Sequence, residues 1–226
     1  MDDVALTTLM TWLSPSYPVG AYCYSHGLEW AVSAGDVTDR ASLEAWIADV
    51  LTQGGGRNDA ILFRHAHEVV ERGDDAGLAE VCETALALAT TAERRLETTA
   101  QGGAFIQVTT AAWPSQTLER LSQVWDGPVA YPLAVAVAAA GHRIAATPAL
   151  HAYLHAFAAN VVSAGVRLIP LGQTDGQRVI AALAPVIGEV AEAARRGDLD
   201  DLGGAAIRAE IAAMAHETQT TRLFRT

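Results

Sequence analysis

The sequence predicts an all-α fold, a single-domain bundle of roughly eight to ten helices spanning residues 1–226. Half of the 226 residues are apolar, which is enough to build a sizeable core. Alanine, the strongest helix former, is the most frequent residue, and the larger apolar side chains recur at the three- and four-residue spacing of a helix. No strand pattern, repeat or linker interrupts this spacing, so we expect one domain.

Capping residues and glycines divide the first half of the chain into four predicted helices. An Asp or Ser before an apolar stretch caps the free N–H groups of a helix start, whereas glycine or proline marks the end. The expected limits are Asp39 to Gly54-Gly55-Gly56, Asp59 to Gly73, Asp74 to Ala112 with a break at Gly102-Gly103 as the alternative, and Ser115 to Trp125 after a stop at Trp113-Pro114.

Prolines mark several helix starts in the second half, because a proline in the first helical turn loses no hydrogen bond. Thr174 and Gln177 have the spacing of a capping box, in which two side chains cap a helix start reciprocally. The expected limits are Tyr131-Pro132 onward, Thr147-Pro148 to Gly165, Thr174 to Gly197 with a kink at Pro185, and Gly204 to Glu217.

Composition excludes several classes of function. Every basic residue is arginine, which excludes a phosphate-binding P-loop and Schiff-base chemistry, since both need a lysine. A net charge of −11 argues against a nucleic-acid partner. No stretch reaches the ~18 apolar residues of a membrane span, and the acidic start MDDVALTTLM differs from a basic signal peptide. We therefore expect a cytoplasmic protein without a membrane partner.

Histidines offer two candidate metal sites. His151 and His155 are four residues apart on one face of a predicted helix, as two ligands would be. They define the alternative function, an all-helical metal-dependent enzyme with further ligands on facing helices. Cys23 and His26 supply two ligands, too few for a closed site unless a symmetric dimer provides four. Because no HExxH motif, GxSxG nucleophile or phosphate loop is present, we assign no catalytic residue, metal ligand or cofactor and predict a protein that is not an enzyme.

Three polar segments are not required for helix packing. The first, residues 15–29, holds three tyrosines among prolines and glycines. The second is residues 170–178, PLGQTDGQR, and the third is residues 216–225, HETQTTRLFR. The third contains arginine, leucine and phenylalanine, and arginine and aromatic residues are typical interface anchors. We therefore predict a short docking tail over about residues 218–226, with ordinary turns and a frayed end as the alternative.

These segments resemble the signature sequences of the urease accessory protein UreF family. The matching stretches SPSYPVGAYCYSHGLEWAV, VRLIPLGQTDGQR and HETQTTRLFR occur in the family's order. The resemblance implies an all-helical, non-enzymatic homodimer that acts in nickel insertion. It implies that the protein joins UreD (also called UreH) and the nickel-carrying GTPase UreG in a complex on apo-urease. Direct contact of nickel with the UreF-like chain is left open, and a helical scaffold unrelated to urease is a further alternative.

The same segments supply the candidate partner-binding residues. They are Tyr22, Ser25, His26, Glu29, Gln173, Thr174, Asp175, Gln177, His216, Glu217, Gln219, Arg222, Leu223, Phe224 and Arg225. We expect the tail to dock near the N-terminal loop, with Arg222 or Arg225 hydrogen-bonded to the phenol of Tyr22. Two interpretations are open for the middle segment: its polar side chains face a partner or the route of the metal, or Thr174 and Gln177 only cap a helix.

Overall fold

Residues 2–226, the part of the chain that the computed structural model describes, fold into helices without a strand among them. Ten helices of nine or more residues and one shorter helix, α2, confirm the predicted all-α bundle. The helices are α1 Asp3–Trp12, α2 Leu28–Ser33, α3 Arg40–Gln53, α4 Gly55–Arg72, α5 Asp75–Ala87, α6 Ala92–Ala112, α7 Gln116–Val124, α8 Tyr131–Gly141, α9 Ala146–Leu168, α10 Gln173–Ala194 and α11 Ile207–His216. Short 3₁₀ turns lie at Ala21–Cys23 and Leu199–Asp201.

Helix α8 forms the centre of the bundle. Its residues from Pro132 to Ala139 are all buried, and it packs against α4, α6, α7 and α9. A helix that is apolar on every side has to be covered on every side. Small residues allow the close approach: a Cβ added to Gly102 of α6 would overlap the carbonyl oxygen of Val129, just before α8.

Several helix starts confirm the predictions made from capping residues. Asp39, Asp74 and Ser115 each accept a hydrogen bond from the backbone N–H three residues later, at 2.9, 2.9 and 3.4 Å. Gly73 ends α4 with a φ of 67°, the left-handed conformation that glycine adopts at little cost. Pro185 lies inside α10, as expected. None of the described helices combines the length and apolarity needed to cross a bilayer.

Two predicted helix starts are wrong. Helix α4 begins at Gly55, so Asp59 lies in its second turn, where its carboxylate accepts a hydrogen bond from Tyr153 at 2.6 Å. Helix α10 begins at Gln173 after Gly172, and no side chain caps it. Thr174 therefore lies within the first turn of α10, and the capping interpretation of the middle segment is wrong.

Three glycines, at two places where a helix end or break was predicted, lie inside helices instead. Helix α6 continues through Gly102-Gly103, and the break falls earlier, between α5 and α6 at residues 88–91. Both the predicted unbroken helix from Asp74 to Ala112 and its alternative, a break at Gly102-Gly103, are therefore wrong. Helix α9 continues past Gly165 to Leu168. A Cβ added to Gly165 would lie 2.6 Å from the side chain of Leu43 in α3. Gly102 and Gly165 serve close packing with neighbouring segments, whereas a Cβ on Gly103 would meet nothing within 4 Å. Sequence spacing alone does not distinguish such glycines from a helix stop.

Candidate partner-binding site

The loop between α1 and α2 ends in a tight turn that directs polar side chains inward. His26 and Gly27 have positive φ values of 59° and 76°. A residue with a Cβ is strained at such values, and a Cβ on Gly27 would also lie 2.9 Å from the backbone nitrogen of Ala213 in α11. Glycine at this position therefore lets α11 pack onto the start of α2. Ser25 and His26, which precede it, are both buried.

The C-terminal tail, residues 218–226, lies against this loop. The carbonyl oxygen of Thr226 accepts hydrogen bonds from the backbone N–H and the hydroxyl of Ser25, at 2.7 and 2.6 Å. The backbone N–H of Arg225 donates to the carbonyl oxygen of Cys23 at 2.8 Å. Phe224 and Thr226 are buried, whereas Arg225 is exposed. The prediction that the tail docks near the N-terminal loop is confirmed.

Glu29 binds the backbone of the tail from its buried side. Its carboxylate accepts hydrogen bonds from the backbone N–H groups of Leu223 and Phe224, at 2.6 and 2.9 Å. The same carboxylate lies 3.1 Å from Nε2 of His216, which is fully buried at the end of α11. Glu29 is itself buried in the first turn of α2. A buried carboxylate needs such partners, because burying an unpaired charge is costly.

Glu93 of α6 completes this cluster on the other side of the imidazole. Its carboxylate lies 2.7 Å from Nδ1 of His216 and accepts a hydrogen bond from Arg222 at 2.7 Å. Two further predicted residues have local structural roles. Glu217 accepts a hydrogen bond from the first backbone N–H of α6 at 2.9 Å, and Gln219 donates to a tail carbonyl, that of residue 221, at 2.9 Å.

The expected hydrogen bond from Arg222 or Arg225 to the phenol of Tyr22 is wrong. Arg222 points inward to Glu93, and Arg167 of α9 takes the predicted position beside the tyrosine. The guanidinium of Arg167 lies 3.8 Å from the ring centroid of Tyr22 and 4.3 Å from that of Phe224. It also donates to the carbonyl oxygen of Tyr22 at 3.1 Å. Cation–π contacts of this kind favour arginine. Arg167 is a site residue that the sequence reasoning missed, although it lies within the second matching stretch.

A second buried cluster, also missed from sequence, lies under the end of the tail. Arg94 of α6 donates to Nδ1 of His26 and to Glu97, and the hydroxyl of Thr226 donates to Glu97 at 3.1 Å. Burial and the positive charge of Arg94 lower the pKa of His26, although Glu97 acts in the opposite direction. Burial by itself raises the pKa of Glu97, but Arg94 and the surrounding hydrogen bonds outweigh it and lower the pKa to about 2. Glu97 is therefore ionised at neutral pH, and the downward shift favours the neutral form of His26.

A cavity of about 260 Å³ opens beneath the loop. Its wall includes Tyr22, Glu97, Tyr131 and Asn160, together with Asp59. Burial raises the pKa of Asp59 to about 6, although a hydrogen bond from the Tyr153 hydroxyl counteracts the shift. The wall of this cavity therefore includes two carboxyl groups, those of Asp59 and Glu97.

The middle segment lies at the start of α10. Gln173, Thr174 and Gln177 are exposed, and Asp175 accepts a hydrogen bond from Arg178 at 2.9 Å. Within residues 2–226, no hydrogen bond joins these four predicted residues to the tail or to the N-terminal loop. Only the beginning of the second matching stretch, at Arg167, reaches the other two segments. The role of these polar side chains in partner binding stays a prediction.

The two candidate metal sites find no further ligands. His151 and His155 are both exposed on α9, and Cys23 is exposed whereas His26 is turned toward Arg94. Across the described part of the chain, no group of three or more His, Cys, Asp or Glu side chains has an arrangement that could hold a metal ion. The geometry therefore gives the alternative of a metal-dependent enzyme no support.

Fold and site together define an all-helical protein. Its N-terminal loop and C-terminal tail pack together and present aromatic and arginine side chains. Comparison with known proteins identifies the family. The UreF family model matches residues 37–184. Curated relatives named Urease accessory protein UreF are 53% identical over 99% of this chain and 94% of the relative in Rhodopseudomonas palustris strain HaA2, and 53% identical over 100% and 93% in Bradyrhizobium sp. strain BTAi1. A third, from Methylobacterium sp. strain 4-46, is 52% identical over 96% and 87%. The chain belongs to the UreF family.

Proposed function

We propose that this chain is a urease accessory protein that acts in the maturation of urease. The observation that carries the proposal is the 53% identity, over 99% of the chain, to a relative named for that role. The match includes the loop and the tail, which lie outside the residues that the family model covers. The assembled site therefore belongs to the part of the molecule that this chain shares with its full-length relatives.

In this proposal the protein is a non-enzymatic bridge. It forms a homodimer in the cytoplasm and joins UreD/UreH and the GTPase UreG in a complex on apo-urease, with nickel as the cargo of the complex. The chain has no lysine and hence no P-loop of its own, so GTP hydrolysis is assigned to UreG. No cofactor is assigned to the chain.

The exposed side chains of the site support a docking role. Tyr22 and Leu223 are each 65% exposed. Tyr22 lies against Arg167, and Leu223 belongs to the tail segment that binds Glu29. Aromatic and arginine side chains dominate the binding energy of many interfaces. The hydrogen bonds of the tail backbone fix this surface in advance, which reduces the entropy lost when a partner binds.

Substitution of the exposed side chains tests the proposal. In a bacterium that carries the urease genes but whose own UreF gene has been deleted, the wild-type chain should restore urease activity and copurify with UreD/UreH and UreG. The double variant Tyr22→Ala, Leu223→Ala should fold normally, because exposed substitutions change stability by only about 0.5 kcal/mol, yet lose copurification and activation. Met10→Ala, at a 67% exposed apolar residue of α1, is the matched control for loss of exposed apolar area.

One result would contradict the maturation role, and another would contradict the docking surface. A wild-type chain that fails to restore urease activity would argue against the maturation role. A double variant with full activity and normal copurification would leave the role intact but place the docking surface elsewhere. For the middle segment, Gln173→Ala and Asp175→Ala in the same strain should lower activation with little change in melting temperature.

A further inference from the structure

Both ring nitrogens of His216 face carboxylate oxygens. Nε2 lies 3.1 Å from Glu29 and Nδ1 lies 2.7 Å from Glu93, and the histidine is 0% exposed. An ionised carboxylate only accepts hydrogen bonds, and a neutral imidazole has one donor and one acceptor nitrogen. Both contacts are hydrogen bonds only when both nitrogens carry hydrogen. With both carboxylates ionised, the geometry therefore favours a positively charged imidazolium, since a neutral ring would turn a lone pair toward one of them.

The charge balance of the cluster depends on that proton. The two carboxylates, Glu29 and Glu93, are opposed by the imidazolium of His216 and by Arg222, which binds Glu93 from the tail. With the proton, two negative charges meet two positive charges. Without it, one negative charge is uncompensated in a buried site, and a ring lone pair faces a carboxylate. Such an arrangement is strongly unfavourable.

The same two carboxylates hold the tail. Glu29 binds the backbone N–H groups of Leu223 and Phe224, and Glu93 binds Arg222. Opening the cluster to water would relieve the uncompensated charge, but it would also free these three tail contacts. Protonation and docking are therefore linked through shared acceptors.

We propose that His216 is a proton-operated latch: the charged imidazolium keeps the C-terminal tail docked on the N-terminal loop, and loss of the proton releases the tail. Because the docked tail favours the charged ring, a rise of pH weakens docking. This inference is independent of the identity of the partners.

Other titratable groups near the tail do not account for such a response. The ring of His216 is faced by Glu29 of α2, Glu93 of α6 and Arg222 of the tail. The neighbouring cluster contacts Thr226 rather than the ring. In that cluster burial and Arg94 lower the pKa of His26, and Glu97 has a pKa of about 2, so Glu97 stays ionised as pH rises from 6 to 8 and the shift of His26 acts toward its neutral form.

Hydrogen exchange of the full-length protein tests the latch. The amide protons of Leu223 and Phe224 are resolved by NMR, and each rate is divided by the intrinsic exchange rate at the same pH, which removes the direct effect of pH on exchange. We expect the protection of both amides to fall by up to about tenfold per pH unit as pH rises from 6 to 8, because opening is then coupled to the loss of one proton.

Substitutions separate the latch from a merely structural role. In Glu93→Gln the side-chain amide can donate to Nδ1, so a neutral His216 satisfies both neighbours and the amides should stay protected at pH 6 and pH 8 alike. In His216→Gln protection should be low and independent of pH. The control His151→Gln, at an exposed histidine, should behave as the wild type.

The proposal is overturned by protection that does not change with pH in the wild type. It is equally overturned if Glu93→Gln shows the same pH dependence as the wild type, since the response would then come from another group. If His216→Gln does not fold, the comparison of Glu93→Gln with the wild type decides the matter.

Discussion

Replacing Asp59 with asparagine should stabilise the protein at neutral pH. The Asp59 carboxyl is buried in the cavity wall, and burial raises its pKa from 3.8 to about 6. Between these two values the native state holds a proton that the unfolded chain has lost, so stability falls by about 1.4 kcal/mol for each pH unit. Over the interval of roughly two pH units the loss amounts to about 3 kcal/mol, and it persists above pH 6.

Asparagine matches the shape of aspartate and does not ionise. Its amide oxygen can still accept the hydrogen bond that the Tyr153 hydroxyl donates to Asp59 at 2.6 Å. In denaturant unfolding followed by circular dichroism, the stability of Asp59→Asn minus that of the wild type should therefore increase by about 3 kcal/mol between pH 4 and pH 7. Asp49→Asn, at an exposed aspartate of α3, serves as the control and should change this difference by less than about 0.5 kcal/mol.

The result that refutes this reasoning is a stability difference between Asp59→Asn and wild type that stays constant over pH 4 to 7. Such a result would mean that the native state ionises Asp59 as readily as the unfolded chain does. A large shift for Asp49→Asn would instead point to a general effect of charge on the acidic chain.

Three further predictions concern stability measured by the same unfolding assay. Gly103→Ala should stabilise the protein by about 0.5–1 kcal/mol, because a Cβ there meets open space. Gly102→Ala should destabilise the protein by about 1–3 kcal/mol, because its Cβ would overlap the Val129 carbonyl. Equal effects of the two substitutions would contradict the packing argument. Gly27→Ala should lower the free energy of unfolding more than Gly35→Ala does. Both glycines have a positive φ, which costs a residue with a Cβ about 1–2 kcal/mol, but of the two only Gly27 is also crowded by α11. The pKa of Glu97 shifts in the opposite direction to that of Asp59, from 4.5 down to about 2. The free energy of unfolding of the wild type should therefore fall by about 3 kcal/mol as pH drops through this range. Glu97→Gln should not show this fall in acid unfolding.

Helix positions could be predicted from sequence because their signals are local. Asp39 and Ser115 cap helices through backbone groups only three residues away, and that spacing is visible in the sequence. Glycines were harder to interpret. Gly102 and Gly165 lie inside helices because a neighbouring segment approaches them closely, and nothing in their local sequence shows that neighbour.

The site was predicted in outline but not in its contacts. The docking of the tail near Tyr22 could be predicted from the resemblance, because the segments concerned were recognised as signatures. The stacking partner of Tyr22 is Arg167, 145 residues away in sequence. Glu93 and Glu97 carry no sequence signal of burial; they are buried where α11 and the tail pack against α6. Side-chain pairing over such separations depends on how helices pack, which helical periodicity does not specify.

The hydrogen bonds between Ser25 and Thr226 join residues 201 positions apart. During synthesis the loop and α2 leave the ribosome early, and the tail that binds them is synthesised much later. Contacts of such high sequence separation pay the largest loop-closure entropy and form late. A chain interrupted after α10 would keep most of its helical core yet present no assembled docking surface. The surface proposed for docking therefore exists only in chains that carry the tail.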